Sequence, residues 1–270
     1  MNNDNLLKLI LKNIYFFGVR KKIFIKNIFH KKIKNQHLFI LSPPYCGSTL
    51  LNEIISSSNN VSCNNNIGNR EGQNLPETKK LLFKNDKWDP EKKINWKQIH
   101  TIWDKYWDKS KHVLLEKSPP NICRALKIEK EFKEAKFICL LRNPYAQAEG
   151  IIRRNNASAK YAADFALKCL EYQKTNLEKL KNVTLITYEE LTKNPKNTKQ
   201  KIISFVPELN NIDTTSNFSA HNLRGAASMP ITNLNKEKIA KIKKSDLDII
   251  NSIFKKKESL LNYFDYKILD

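Results

Sequence analysis

The sequence predicts an α/β fold: one three-layer domain with a central parallel sheet flanked by helices. Three observations carry that expectation. Short apolar runs recur at 38–41, 113–115, 137–141 and 183–187, each bounded by polar residues. The stretches between them are long enough for crossover helices, as parallel strands require. The first run empties through a glycine-bearing loop into a helical pattern, the local arrangement of a strand–loop–helix unit.

Taken in order, residues 1–36 carry nine Lys or Arg and one Asp, interleaved with Leu6, Leu7, Ile10, Leu11, Ile14, Phe16 and Phe17. Such a basic amphipathic stretch suits peripheral contact with an anionic membrane face, and equally suits a helix packed on the domain that follows. Residues 37–270 are read as that single domain. After the strand at 38–41, the loop runs into a helix continuing over 50–57. Residues 58–110 form an excursion on the acceptor side, Asn-rich at first and then carrying Trp88, Trp96, Trp103 and Trp107. There Trp96, Ile99, Trp103 and Tyr106 nearly follow helical spacing, so a core stripe explains them more simply than a stacking platform. Helices are expected over 121–134 and 161–181, and a closing helical pair over 236–244 and 245–254.

With 270 residues, 40% hydrophobic, the chain suits one domain able to bury a substantial core, which excludes wholesale disorder. The formal charge of +21 favours anionic partners, although abundant Lys, Asn and Ile make part of it compositional. No aromatic–basic signature of a nucleic-acid fold accompanies it, so no specific nucleic-acid partner is expected. No 18-residue apolar run offers a membrane span, and no clean leader is visible. Five cysteines, odd in number and without a C-x-x-C pair, imply neither a disulfide framework nor a zinc site and fit a cytoplasmic protein.

The loop Ser42-Pro43-Pro44-Tyr45-Cys46-Gly47-Ser48-Thr49-Leu50-Leu51 reads as an anion cradle. A helix start leaves N–H groups unpaired and carries partial positive charge, Gly47 allows close approach, and two hydroxyls follow at once. The Walker pattern is absent, since neither its first glycine nor its lysine is present. Further along, Lys117 and Arg142 each follow an apolar strand. In parallel sheets, ligands gather beyond the carboxyl ends of the strands, where Gly47, Lys117 and Arg142 all fall.

Together these segments resemble the sulfotransferases that use 3'-phosphoadenosine 5'-phosphosulfate (PAPS). Residues 44–51 (PYCGSTLL) are similar to that family's P-R-S-G-[TS]-T-L-L loop, residues 116–119 (EKSP) to its E-K-T-P segment, and Arg142-Asn143-Pro144, running on to Arg153, to its 3'-phosphate element. Residues 183–195 and 260–266 resemble its fourth core strand and closing helix. The resemblance covers roughly 37–270 and implies a P-loop-kinase-like fold. It also implies that Cys46, Gly47, Ser48, Thr49 and Leu50 hold the 5' end of PAPS. Lys117 would stabilise charge on the leaving phosphate or the sulfuryl group, and Arg142 would clamp the 3'-phosphate with Arg153 or Arg154. No metal is expected.

Two positions depart from the family pattern. Tyr45 stands where the loop normally carries Arg or Lys near the bridging oxygen, and Gly150 where a serine is usual. The resemblance points to Glu71 as general base, and a glutamate paired with neighbouring Arg70 is the plain alternative. His100, His112 and His221 are rivals. Arg224, in 221–225 (HNLRG), resembles a segment that folds over the nucleotide. The implied activity is sulfuryl transfer to a hydroxyl or amine of a carbohydrate, lipid or small metabolite. The alternatives are a P-loop kinase, disfavoured by the missing Walker lysine, and a noncatalytic basic anion-binding protein.

Overall fold

In the computed structural model, which describes residues 3–31, 33–82, 87–218, 228 and 230–269, the chain is built on five strands. They are β1 (Gln36–Leu41), β2 (Val61–Cys63), β3 (Val113–Glu116), β4 (Lys136–Leu141) and β5 (Val183–Thr187). Their order is β2-β3-β1-β4-β5, and every neighbouring pair is parallel. The four expected strands are present, each within two residues of its expected limits. The fifth, β2, lies inside the stretch 58–110, which is therefore not wholly an excursion. Three residues with a single neighbour are too short to announce a period-two pattern.

A parallel sheet must be covered on both faces, and β1 shows why this sequence complies. Leu38 and Ile40 enter one core, while Phe39 and Leu41 enter the other. All four are fully buried.

The helices are α1 (Asn3–Phe29), α2 (Ser48–Ser56), α3 (Pro76–Leu82), α4 (Trp96–Trp103), α5 (Ala125–Glu131), α6 (Pro144–Asn155), α7 (Ala159–Lys179), α8 (Tyr188–Lys193), α9 (Pro195–Phe205), α10 (Asn235–Ile239), α11 (Lys244–Lys255) and α12 (Glu258–Tyr263). Several begin where the sequence supplies a cap. The Ser158 side chain accepts from the Tyr161 N–H, and Thr187 with Glu190 completes a capping box that starts α8. The expected helix over 121–134 is broken instead into a 3-10 turn, Pro119–Cys123, and α5, because consecutive prolines precede it.

Trp96, Ile99, Trp103 and Tyr106 are buried in the core on the Phe39 side of the sheet, as a packing stripe and not a platform. Helix α1 docks against the same side. Phe16 is buried there, Arg20 pairs with Glu77 at 2.5 Å, and Lys26 pairs with Asp108 at 2.8 Å.

Since all strands point one way, the loops after β1, β3 and β4 leave from one edge. β1 is central, so its loop is flanked by the β3 exit carrying Lys117 and the β4 exit carrying Arg142. Three segments distant in sequence are thereby neighbours.

Candidate active site

Gly47 opens α2 with φ of +91°, a conformation that costs other residues strain. A Cβ there would also stand 2.6 Å from the Tyr188 ring, so glycine is demanded twice. Among the described residues no side chain caps α2, which leaves its first N–H groups unspent beside the Ser48 and Thr49 hydroxyls. Cys46 is wholly buried, and burial pushes its thiol far above the usual range, so it contributes backbone and packing rather than a thiolate. Leu50 is buried against the core beneath the loop.

Lys117, 1% exposed, pairs with the Glu71 Oε1 at 3.5 Å. Burial pulls its ammonium below the ordinary lysine range, and Glu71 with Glu116 pulls it back up. Glu71 is held from behind: Gln73 Nε2 donates to its Oε2 at 2.5 Å, Asn74 Nδ2 at 3.2 Å, and Asn65 Nδ2 donates to its backbone carbonyl at 2.8 Å. Its other oxygen is left facing Lys117. Arg70, the alternative partner, pairs with Glu53 at 2.8 Å instead. Glu116, beneath, accepts from Ser118 and Asn121, and burial raises its carboxyl to about 8.

Arg142 is 5% exposed and stacks 3.9 Å above the Tyr188 ring centroid. Its Nε donates to Asn235 Oδ1 at 2.6 Å and its Nη1 to the Tyr45 carbonyl at 3.2 Å, while the buried Nη2 has no partner among the described residues. Asn235 is itself held by Glu189, which also accepts the Asn143 N–H at 2.8 Å.

Tyr45 has φ of +66° and donates its hydroxyl to Asn155 Oδ1 at 2.6 Å, at the last turn of α6. Its carbonyl, not its side chain, is what meets Arg142. Gly150 lies directly under the tyrosine ring. Arg153 is half exposed and bonded to Glu149, which also accepts Lys238 at 3.1 Å. Arg224 and His221 lie outside the described residues. His100 bonds Glu131 at 2.9 Å and packs on Phe132, and the His112 carbonyl accepts the Gln36 N–H at the start of β1. Both rivals are thus at the amino ends of the strands, opposite Lys117 and Arg142.

Tyr188, Glu189, Asn235 and Lys238 form part of this site and were not singled out from sequence. Tyr188 and Glu189 follow a recognised strand, a signal that was available. Asn235 and Lys238 lie nearly a hundred residues from Arg142 and carry no local pattern.

Among the described residues, then, one sheet edge gathers a buried guanidinium with a free N–H pair, a buried ammonium with one long contact, and an uncapped helix start. Buried donors left unspent are costly, and anionic groups are the ligands whose oxygens match such donors best.

A family model described as the sulfotransferase family matches residues 37–208. None of the curated proteins matches the chain. Among solved structures, the chain is similar to the sulfotransferase domain from the curacin biosynthetic pathway, with 17% identity, TM-score 0.56, and coverage of 88% of this chain and 100% of that one. The sulfotransferase domain from the Synechococcus PCC 7002 olefin synthase has 18% identity and TM-score 0.53, covering 88% and 98%. A sulfotransferase from Alicyclobacillus acidocaldarius has 12% identity and TM-score 0.51, covering 86% and 96%. At these identities the likeness concerns the fold.

Proposed function

The chain belongs to the sulfotransferase family, and from that membership we propose that it is a PAPS-dependent enzyme sulfating a hydroxyl or amine of a carbohydrate, lipid or small metabolite. The observation that carries the reading is the set of donors at the strand ends: Arg142 Nη2 without a partner among the described residues, Lys117 Nζ with its long contact to Glu71, and the amides that open α2. They suit a ligand with phosphate at two places better than one with a single anionic group.

The donor supplies a sulfuryl group carried on a phosphate whose departure leaves negative charge. Around it, the N–H groups of Gly47 to Leu50 and the Ser48 and Thr49 hydroxyls bind the 5' end. Lys117, flanking the loop on the β3 side, faces the charge that develops there. Arg142, on the β4 side, binds the 3'-phosphate through Nη2, with its plane held by Tyr188, Asn235 and the Tyr45 carbonyl. Lys238 and Arg153 add positive charge nearby, tempered by Glu149.

Glu71 Oε1 takes the acceptor's proton. Its rear oxygen is fixed by Gln73 and Asn74, so the free oxygen is oriented without a search. Tyr45, where a cation is usual, is committed to Asn155, which leaves Lys117 as the cation serving the transferring group. Side chains and amides supply the neutralisation, so no metal is required. The odd, unpaired cysteines, four of them buried thiols, support a cytoplasmic location.

The test is calorimetric titration with adenosine 3',5'-bisphosphate. Saturable binding is expected, weakened at least about tenfold by Arg142→Ala through loss of charged hydrogen bonds. No heat of binding with folded protein would remove the proposal. Equal affinity for ATP and indifference to the 3'-phosphate would transfer it to the kinase class.

A further inference from the structure

Ten of the thirteen exposed large hydrophobics among the described residues belong to one helix, α1. Scattered apolar residues need no explanation, but a contiguous set does. Leu7, Ile10, Ile14, Phe17, Phe24 and Ile28 follow alternating steps of three and four, apart from Lys21 between the last phenylalanine pair, and so form one stripe. Leu11, Ile25 and Phe29 widen it. Ile14, Phe24 and Phe29 are 62%, 65% and 84% exposed.

This stripe is not the side by which the helix docks. Docking uses the opposite face, through Phe16, Val19, the Arg20–Glu77 and Lys26–Asp108 pairs, and the bonds of Asn27 to the Trp107 carbonyl and the Lys109 N–H. A helix that is already satisfied on one side and more apolar on the other has a second contact to make.

We propose that the outward face of α1 lies in the surface of an anionic lipid bilayer, as an in-plane anchor for the domain behind it. Four features select that occupant. Residues 5–36 contain no acidic side chain, so a second copy would bring lysine against lysine, whereas an anionic surface complements them. Taking 100° per residue, the stripe is about 140° wide, broader than the narrow seam of a coiled coil. Lys21 lies within it, with its Nζ 4.8 Å from the Phe17 ring centroid; two packed helices would bury that charge, but at a bilayer it extends to the headgroups. A groove of about 540 Å³ between α1 and the end of α4 is walled by Phe17 and Phe24, with Arg20, Lys21, Lys105 and Asp104 around it, a mixture suited to a headgroup above its acyl chain. No described helix is long and apolar enough to cross a membrane, so α1 lies on the surface rather than spanning it.

Flotation of the full chain with phosphatidylcholine vesicles, with and without phosphatidylglycerol, tests this. At low salt, partitioning is expected to be at least about tenfold stronger onto the anionic vesicles and to weaken as salt rises. The double variant Phe24→Asp, Ile28→Asp should return it to background with an unchanged melting temperature, since both side chains are outside the core. Lys21→Glu with Lys22→Glu should abolish the preference for anionic vesicles. Failure of the unaltered chain to float with either vesicle overturns the proposal. So does a dimer, detected by light scattering, that Phe24→Asp dissociates.

Discussion

A side-chain carbon at Gly150 would stand 2.8 Å from both Cβ and Cγ of Tyr45, so the tyrosine occupies the room that any larger residue at 150 needs. The two departures from the sulfotransferase pattern are therefore one packing arrangement. The ring that displaces a cation from the loop also displaces a serine from α6, and its hydroxyl is tied to Asn155 at the far end of that helix.

Gly150→Ser alone is expected to destabilise the protein by about 1–3 kcal/mol through overpacking. Combined with Tyr45→Ala, which removes the ring, most of that loss should disappear, giving a coupling of about 1 kcal/mol or more in urea unfolding. Additive effects would show that the two positions do not share the space.

Lys117→Met should lower kcat by about 10²–10³, the cost of losing one preorganised donor to developing charge. Its melting temperature should fall as well, because the buried Glu71 carboxylate loses its 3.5 Å partner, so the kcat of the folded variant is what reports on catalysis. A large fall in stability with little change in kcat would assign the lysine to structure alone.

Glu71→Gln keeps the shape and the contacts to Gln73 and Asn74 while removing the base. Turnover should fall about 10²–10⁴-fold with affinity for adenosine 3',5'-bisphosphate retained. Turnover close to that of the unaltered chain would pass the role of base to another group.

Glu116 makes stability depend on pH. Its carboxyl titrates near 8 when folded, raised by burial from 4.5, so between those values the folded state holds a proton that the unfolded chain has released. Stability from this group is present below pH 4.5 and is lost as pH rises toward 8. Glu116→Gln should flatten that decline when melting temperature is followed across the window; an unchanged slope would place its source elsewhere.

Gly47→Ala faces two penalties, the positive φ and the Tyr188 ring at 2.6 Å. A loss of about 2–4 kcal/mol is expected. Tyr188→Ala should recover only the steric part, which differential unfolding of the single and double variants will separate.

Four of the five strands, the helix that follows the loop and the closing helices were legible because each is announced by a repeat a few residues long. Val61–Cys63 was not, since three residues bounded by Asn60 and Asn64 carry no period. The loop, Lys117 and Arg142 were legible as candidates from their places after the strands, and Glu71 from the family resemblance alone. Their partners were not: Arg142 meets Asn235 across 93 positions, and Tyr45 meets Asn155 across 110.

By itself, the sequence determined a parallel α/β sheet with a strand–loop–helix unit, cations after the neighbouring strands, and a basic amphipathic start. Such features arise from backbone geometry and side-chain periodicity, which act over a few residues. Only tertiary packing decided that Arg142 keeps one nitrogen free while Arg153 is bonded to Glu149, that Tyr45 turns toward Asn155, and that the broader apolar face of α1 points outward. Those outcomes depend on which distant side chains the packed fold brings within hydrogen-bonding reach of each donor, which no local pattern records.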